Sequence, residues 1–357
     1  MENEPLIECK SVWKIFGDRS DAAIRAVKER GIGKAEVMQE FNCVVGVADV
    51  SLGLGKGEIL CVMGLSGSGK STLIRLFNRL IEPSLGQMLL HGEDIGSMSL
   101  ERLREVRAKK VGMVFQSVTL LPHRTVLENA AFGLEVQKID KARRHEIAGA
   151  ALAKVGLGDW LNRYPHELSG GMQQRVGLAR ALASDPEIIL MDEPFSALDP
   201  LIRRQLQNEF RQLSKELGKS ALFITHDLDE AIRLGDRIAV MKDGAVVQLG
   251  TAEDIVLRPK DAYVEDFVAG VSRLHLVKAH SVMHHVGDFQ SRQPGVNPAT
   301  LPAVPVDAEL DTLIQLMTKG HQDSVAVTDA GKIVGVVTLR SLLQGVRGRE
   351  PTEEIAL

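Results

Sequence analysis

The octapeptide Gly64-Leu65-Ser66-Gly67-Ser68-Gly69-Lys70-Ser71 fits the spacing GxxxxGK[ST], which suits a polyphosphate. It follows the apolar run Ile59-Leu60-Cys61-Val62-Met63 and precedes Thr72-Leu73-Ile74-Arg75-Leu76, so it reads as strand, loop and helix. Glycines let backbone N–H groups close around phosphate oxygens where a Cβ would block the approach or the dihedrals. The helix starting near Lys70 directs its positive dipole end at the anion. Lys70 is expected to reach the β- and γ-phosphates, and the Ser71 hydroxyl to ligate Mg²⁺, which takes hard oxygen donors.

Two further strand ends have side chains suited to phosphoryl transfer. Ile188-Ile189-Leu190-Met191 ends in Asp192-Glu193. Asp192 is expected to hold Mg²⁺ through water, and Glu193, on the other side of the strand end, to orient or deprotonate an attacking water. Ala221-Leu222-Phe223-Ile224-Thr225 ends in His226-Asp227, where His226 is either a satisfied strand-end histidine or a hydrogen-bonding partner of the γ-phosphate. The run Leu168-Ser169-Gly170-Gly171-Met172-Gln173-Gln174-Arg175 makes a donor-rich N-terminus for a helix beginning near Met172, with Val176, Ala179 and Ala183 inward. That is a second anion site in a chain that already has one. With one nucleotide per chain, each such loop is expected to serve the ATP bound by another copy.

The ordered set GLSGSGKS, Val114-Phe115-Gln116, LSGGMQQR, IILMDEP, SALD and ITHD resembles the nucleotide-binding subunit of an ATP-binding cassette (ABC) transporter, over roughly residues 6–268. The resemblance implies an α/β fold, a P-loop NTPase domain of the cassette type with a helical subdomain at about 100–175. It implies ATP hydrolysis with Glu193, His226, Gln116 and Lys70 as catalytic residues and Ser71, Gln116 and Asp192 at the Mg²⁺. Nucleotide contacts are implied for Phe16, Gly64, Ser66, Gly67, Ser68, Gly69, Lys70, Ser71 and Thr72, and across the seam for Ser169, Gly170, Gly171, Gln173 and Asp199. Two readings stand for Phe16: a stacking platform for adenine, or an edge-strand core residue. In the family two chains sandwich two ATP molecules head to tail, donors from both subunits meet the transition-state charge, and hydrolysis opens the sandwich.

These residues need a large α/β body to hold them, and 357 residues with 44% hydrophobic content supply one plus a smaller domain. The net charge of −4 gives no nucleic-acid footprint. Cys9, Cys43 and Cys61 lack CxxC spacing and read as reduced core thiols. The acidic start is not expected to act as a signal peptide, and no apolar run approaches the roughly 18–20 residues that cross a bilayer. Work at a membrane therefore calls for a separate integral partner. Between about residues 18 and 46, Ser20 is expected to cap a helix ending at Gly31, and Lys34 to Phe41 reads as a second helix. An insertion of this kind, closing on Val44-Val45-Gly46-Val47, resembles the importer branch for glycine betaine, proline betaine and related quaternary amines. Helical patterns at Glu101 to Lys110 and Lys141 to Val155 match the helical subdomain. Leu120-Leu121-Pro122-His123 reads either as the groove for a permease's coupling helix or as an ordinary exposed loop.

Residues 1–268 are thus expected to form the ATPase domain, and 269–357 a linker and a small α+β tail. Pro294, Pro302 and Pro305 punctuate a linker or reduced half-module near 270–303. Beyond it, a helix at Leu310 to Thr318, strands at Ser324 to Val327 and Lys332 to Val337, and a helix from near Thr338 resemble one cystathionine-β-synthase (CBS) repeat. A structural tail and an ionic-strength or nucleotide sensor both remain open. His275, His280, His284 and His285 cluster, with His280 and His284 expected on one helix face, but no carboxylate or cysteine joins them at a metal-site spacing. A DNA- or ribosome-directed cassette ATPase would carry two cassettes, a long coiled coil or a basic surface, and a small-molecule kinase has no use for LSGGMQQR. The expected partners are a second copy, transmembrane permease subunits and, indirectly, a periplasmic or lipid-anchored solute-binding protein, with no nucleic acid. The expected place is the cytoplasmic face of the inner membrane, and the expected cargo an osmoprotectant such as glycine betaine or proline betaine; choline, trimethylamine oxide and proline or histidine stay open.

Overall fold

A computed structural model describes residues 5–116, 119–274 and 276–347. The chain divides into two compact units, 1–249 and 250–357, so the division falls ahead of Val268. The first unit is built on two sheets. Its six-stranded sheet runs Ala245–Gly250, Arg237–Lys242, Ile59–Met63, Ser220–Thr225, Ile188–Asp192, Val111–Val114. The strands Ile59–Met63, Ile188–Asp192 and Ser220–Thr225 are buried throughout. That is what near-continuous apolar runs produce when both faces of a parallel sheet are covered. They pair in parallel with Met63 opposite Thr225 and Asp192 opposite Ile224. Three carboxyl ends therefore come out along one edge, where an α/β sheet places its ligand.

The second sheet is antiparallel and orders Val44–Leu54, Ile7–Phe16, Leu85–Leu90, Glu93–Asp94. One core joins residues of both sheets with Leu73, Ile74 and Leu76 of the helix Lys70–Phe77 and with Leu103 and Val106 of the helix Leu100–Lys109. Between Phe16 and Val44 lie the helices Ser20–Arg30 and Lys34–Phe41, whose Ala23, Val27 and Val37 pack with Ile15, Cys43 and Val45. Ser20 does not cap the first of them. It is already helical, Arg19 holds the cap position without a side-chain bond, and Ser20 N donates to Gly17 O at 3.1 Å, so the turn closes one residue early. Gly31 ends the helix at φ +65°, as expected of a C-terminal glycine.

The helices Val126–Ala130, Phe132–Val136, Lys141–Lys154 and Gly170–Ala183 pack on one another, with Val126, Ala148, Leu152 and Val176 buried. Asn129, fully buried, fixes the preceding loop. It accepts from Leu121 N at 2.7 Å and donates to the carbonyls of Leu121, Arg124 and Thr125 at 3.0–3.1 Å. Of residues 120–123, expected either to line a groove or to lie exposed, one turns inward. Leu120 is 8% exposed and belongs to the core, which leaves Leu121, Pro122 and His123 to face outward.

The second unit holds a four-stranded sheet, ordered His284–His285, Lys332–Thr338, Ser324–Asp329, Ala303–Pro305. Its core contains Val277, Val304, Leu310, Leu313, Val325 and Leu342, with Leu257 against it. The stretch near 270–303 is more than a linker: Val286–Arg292 is a helix with Phe289 buried, and Ala303–Pro305 pairs in parallel with Ser324–Asp329. His280 and His284 do not share a helix face. The helix ends at Val282, and His284 pairs with Val336 as a strand residue. His275 lies outside the described residues. Among the described residues no group of three or more His, Cys, Asp or Glu is placed to hold a metal ion.

Candidate functional site

The loop between Ile59–Met63 and Lys70–Phe77 has the shape its glycines allow. Gly64 and Gly69 take φ +155° and +101°. A Cβ at Gly64 would lie 2.2 Å from Met241 O, and one at Gly69 2.2 Å from Gly46 O. The loop is thereby pressed on two neighbouring segments and cannot accept side chains at these points. Lys70 is buried, and its Nζ donates to Gly64 O at 2.8 Å and Leu65 O at 3.0 Å. Burial lowers its pKa, while Glu193 and Asp192 oppose the shift. Ser68 Oγ is buried without a hydrogen-bond partner among the described residues. A hydroxyl and an ammonium so placed in a glycine-rich loop fit the oxygens of a phosphate chain.

Across the edge, Ser71 Oγ donates to Asp192 Oδ1 at 3.0 Å. Burial raises the Asp192 pKa against the pull of that bond, with Arg75 and Lys70 helping the charge and Glu193 opposing it. A buried carboxylate beside a hydroxyl is the donor set a hard divalent cation takes. The residues fit Mg²⁺.

Glu193 leaves the strand at φ +45° and donates its N–H to Ile224 O at 3.1 Å. That turn carries its side chain toward the next strand end, where Oε2 lies 3.0 Å from His226 Nδ1. Gln116 Nε2 donates to Ser196 Oγ at 3.4 Å, and Ser196 Oγ donates to Glu193 O at 3.0 Å. Lys70, Ser71, Asp192, Glu193, His226 and Gln116 are therefore connected around one sheet edge. Ser196 is a connection that residue-by-residue reading passes over; its only sequence signal is its place at the head of SALD. Phe16 is 41% exposed at the end of Ile7–Phe16, so it is no core residue. Its ring edge abuts Gly46, where a Cβ would come within 2.8 Å, and the Lys14 Nζ stands 5.1 Å from the ring centroid.

The run at Leu168–Arg175 behaves differently. Ser169 Oγ accepts from Met172 N at 3.3 Å and caps the helix Gly170–Ala183. The helix therefore starts two residues ahead of the expected Met172, with the glycines inside its first turn. Gln173 Nε2 turns back to the carbonyls of Pro165 and Leu168 at 3.0 and 3.3 Å, and Gln174 donates to Pro194 O within the same unit. Ser169 and Gly170 are exposed, and among the described residues no hydrogen bond joins them to residues 64–71. Asp199 is exposed as well and caps the helix Pro200–Glu216 by accepting from Ile202 N at 3.1 Å. These two groups are not brought to the phosphate loop of their own chain.

Comparison with known proteins follows the same division. The family model described as ABC transporter matches residues 47–196, and the CBS domain model matches 286–348, which takes in the helix Val286–Arg292. The glycine betaine/proline betaine transport system ATP-binding protein ProV of Escherichia coli K12 is 45% identical over 94% of this chain and 81% of its own length. The trimethylamine N-oxide transport system ATP-binding protein TmoW of Ruegeria pomeroyi is 44% identical over 95% of this chain and 96% of its own. Among solved structures, the dimeric structure of MJ0796, a bacterial ABC transporter cassette, superposes with a TM-score of 0.58 at 31% identity over 69% of this chain and 98% of that one. The same cassette is also known as a dimer in a post-hydrolysis state with ADP and Pi. In this chain no helix of the described residues is long and apolar enough to cross a membrane.

Proposed function

The chain belongs to the ABC transporter family, as an ATP-hydrolysing subunit, and from that premise we propose that it drives uptake of a methylated amine of the glycine betaine or proline betaine type. Two copies would close head to tail around two nucleotides, docked by their helical regions on transmembrane permease subunits at the cytoplasmic face of the membrane. One observation carries the dimer: Ser169 and Gly170 form a capped, exposed helix start unconnected to their own phosphate loop. The head-to-tail arrangement gives that anion site a ligand.

In this reading Lys70 exchanges the Gly64 and Leu65 carbonyls for β- and γ-phosphate oxygens, which are stronger acceptors. Gly64 to Ser68 surround the phosphates, and Phe16 offers its exposed ring to the base. Ser71, Asp192 and Gln116 hold Mg²⁺, which supplies charge neutralisation for the phosphate oxygens. Glu193 accepts the proton of the attacking water, with His226 fixing the carboxylate from the other side. The partner's Ser169 and glycine amides add donors where negative charge spreads on the γ-phosphoryl. The exposed side of the Leu121 to His123 turn, held by Asn129, is offered to the permease.

The test is the oligomeric state of the Glu193→Gln variant. Loaded with Mg²⁺ and ATP it is expected to sediment as a dimer and without nucleotide as a monomer; a strictly monomeric loaded form overturns the shared site. A second reading, trimethylamine N-oxide as cargo, is favoured by a match that spans nearly the whole length of that relative, against less of the betaine one. Uptake by the reconstituted importer, with labelled glycine betaine challenged by trimethylamine N-oxide and the reverse, separates the two.

A further inference from the structure

Away from the groups assigned to nucleotide, one guanidinium is enclosed among backbone carbonyls and carboxylates. Arg203, on the helix Pro200–Glu216, donates from Nη2 to Ser196 O at 3.1 Å and Leu198 O at 2.9 Å. Its Nη1 stands 3.9 Å from Asp227 Oδ2, and its Nε is buried without a hydrogen-bond partner among the described residues. Gln207, four residues on and so on the same helix face, donates from Nε2 to Glu230 Oε1 at 2.8 Å. Glu230 is buried, and its Oε2 accepts from the Thr225 hydroxyl. Burial raises its pKa, opposed by the bonds from Thr225 and Gln207 and by the more distant charge of Arg203.

These contacts bracket His226. Thr225 on one side is bonded to Glu230, and Asp227 on the other donates its N–H to Thr225 Oγ1 at 2.9 Å and accepts from Glu230 N at 3.2 Å. On the opposite flank, Arg203 grips the carbonyl of the same Ser196 whose hydroxyl touches Gln116 and the Glu193 carbonyl. The Ser196 to Asp199 loop is thus tied through one side chain to the turn that carries the histidine.

We propose that Arg203 and Glu230 are positioning residues that couple the placement of the Ser196 to Asp199 loop to that of His226. The proposal rests on the reading that Glu193 and His226 serve hydrolysis in a closed dimer. Neither Arg203 nor Glu230 is among the groups assigned to the nucleotide. With one donor unused and the contact to Asp227 stretched, the guanidinium has a second arrangement open to it when a partner copy presses on the exposed Asp199. Loop position then sets how firmly the histidine holds Glu193, a pair already 3.0 Å apart in the single chain.

A double-mutant cycle on full-length protein tests this, with kcat and KM for ATP hydrolysis and equilibrium binding of a fluorescent ATP analogue as readouts. Arg203→Ala is expected to lower kcat about tenfold with KM and analogue affinity unchanged within about twofold. Arg203→Lys recovers only part, because one ammonium cannot both bond the Ser196 and Leu198 carbonyls, which share Nη2, and set a second nitrogen toward Asp227. Glu230→Gln lowers kcat alone, and the double variant falls no further than the worse single one. If Arg203→Ala fails to fold, Arg203→Lys with Glu230→Gln forms the cycle. Unchanged kcat in folded variants, or losses that multiply, overturn the coupling. A parental protein that hydrolyses ATP, with Glu193→Gln inert and the Arg203 variants at the parental rate, sinks this inference alone. Glu193→Gln at the parental rate sinks the site reading instead.

Discussion

At the residue scale the site is held by unfavourable conformations and unpaired charges. Glu193 sits at φ +45°, a region that costs a non-glycine residue on the order of 1 kcal/mol or more. In return its carboxylate turns from the Asp192 side toward His226. Glu193→Gln keeps the backbone and the phosphate loop, so equilibrium ATP binding is expected to persist while phosphate release slows by about 10²–10³-fold; retention of the parental rate would mean another base. Asp192 supplies a pH prediction. Because burial raises its pKa, the native state binds a proton more readily than the unfolded chain, so the charge costs stability above the native pKa and the cost disappears as pH falls through it. Asp192→Asn should therefore melt higher than the parent at neutral pH without nucleotide, with a gain that shrinks toward acid pH, and should lose the extra stability that Mg²⁺ with ATP gives the parent. Thermal melts across pH check both halves. The cysteines take no part: Cys9, Cys43 and Cys61 are free and buried, and burial pushes the Cys9 thiol up to about 12.

At the element scale, local sequence decides most starts and stops, and neighbours decide the rest. Gly31 marks a helix end legible in the chain, while the caps at Ser99, Asp140, Ser169 and Asp199 are of the residue types that accept from a first-turn N–H. Ser20 is an exception, because Gly17 already closes the turn before it. Leu120 is another, since an apolar residue next to proline reads the same whether it points in or out, and only packing turns it in. The turn after it depends on one buried amide. Asn129→Ala removes four hydrogen bonds and is expected to cost about 2–3 kcal/mol in denaturant unfolding. Once the permease is present, the variant should also lose stimulation of ATP hydrolysis by transport substrate while the isolated subunit keeps its basal rate. Full stimulation with a loosened turn would remove the turn from the docking surface.

For the whole molecule, the two units set where a functional cut belongs. Leu257, at the end of the helix Ala252–Leu257, packs against the second unit's core, so a chain ending at Val268 exposes it, whereas one ending at Leu249 does not. The shorter chain is expected to be the more soluble on heating, judged by light scattering, and to retain ATP hydrolysis. In vesicles with the permease it should lose the dependence of transport on salt if the CBS region senses ionic strength; an unchanged salt response leaves that role without support. The match to a CBS model over 286–348 includes a segment that proline punctuation made look like linker. Its helix Val286–Arg292 is short and its strand Ala303–Pro305 shorter, so neither gives a periodic signal, and both exist because the Ser324–Asp329 strand and the buried Phe289 hold them.

Local runs of residues encode the phosphate loop, the acidic and histidine strand ends, the glycine-flanked serine of the second anion site and the order of elements between them. Each is written in a run of contiguous residues, and parallel pairing of fully apolar strands brings their ends to one edge. Tertiary structure alone decided that Phe16 is exposed, that Leu120 is not, that His284 leaves its helix, and that Arg203 and Glu230 enclose the histidine turn. Those outcomes depend on which distant segment covers a side chain or accepts its protons, and no local pattern of residue types encodes the identity of that segment.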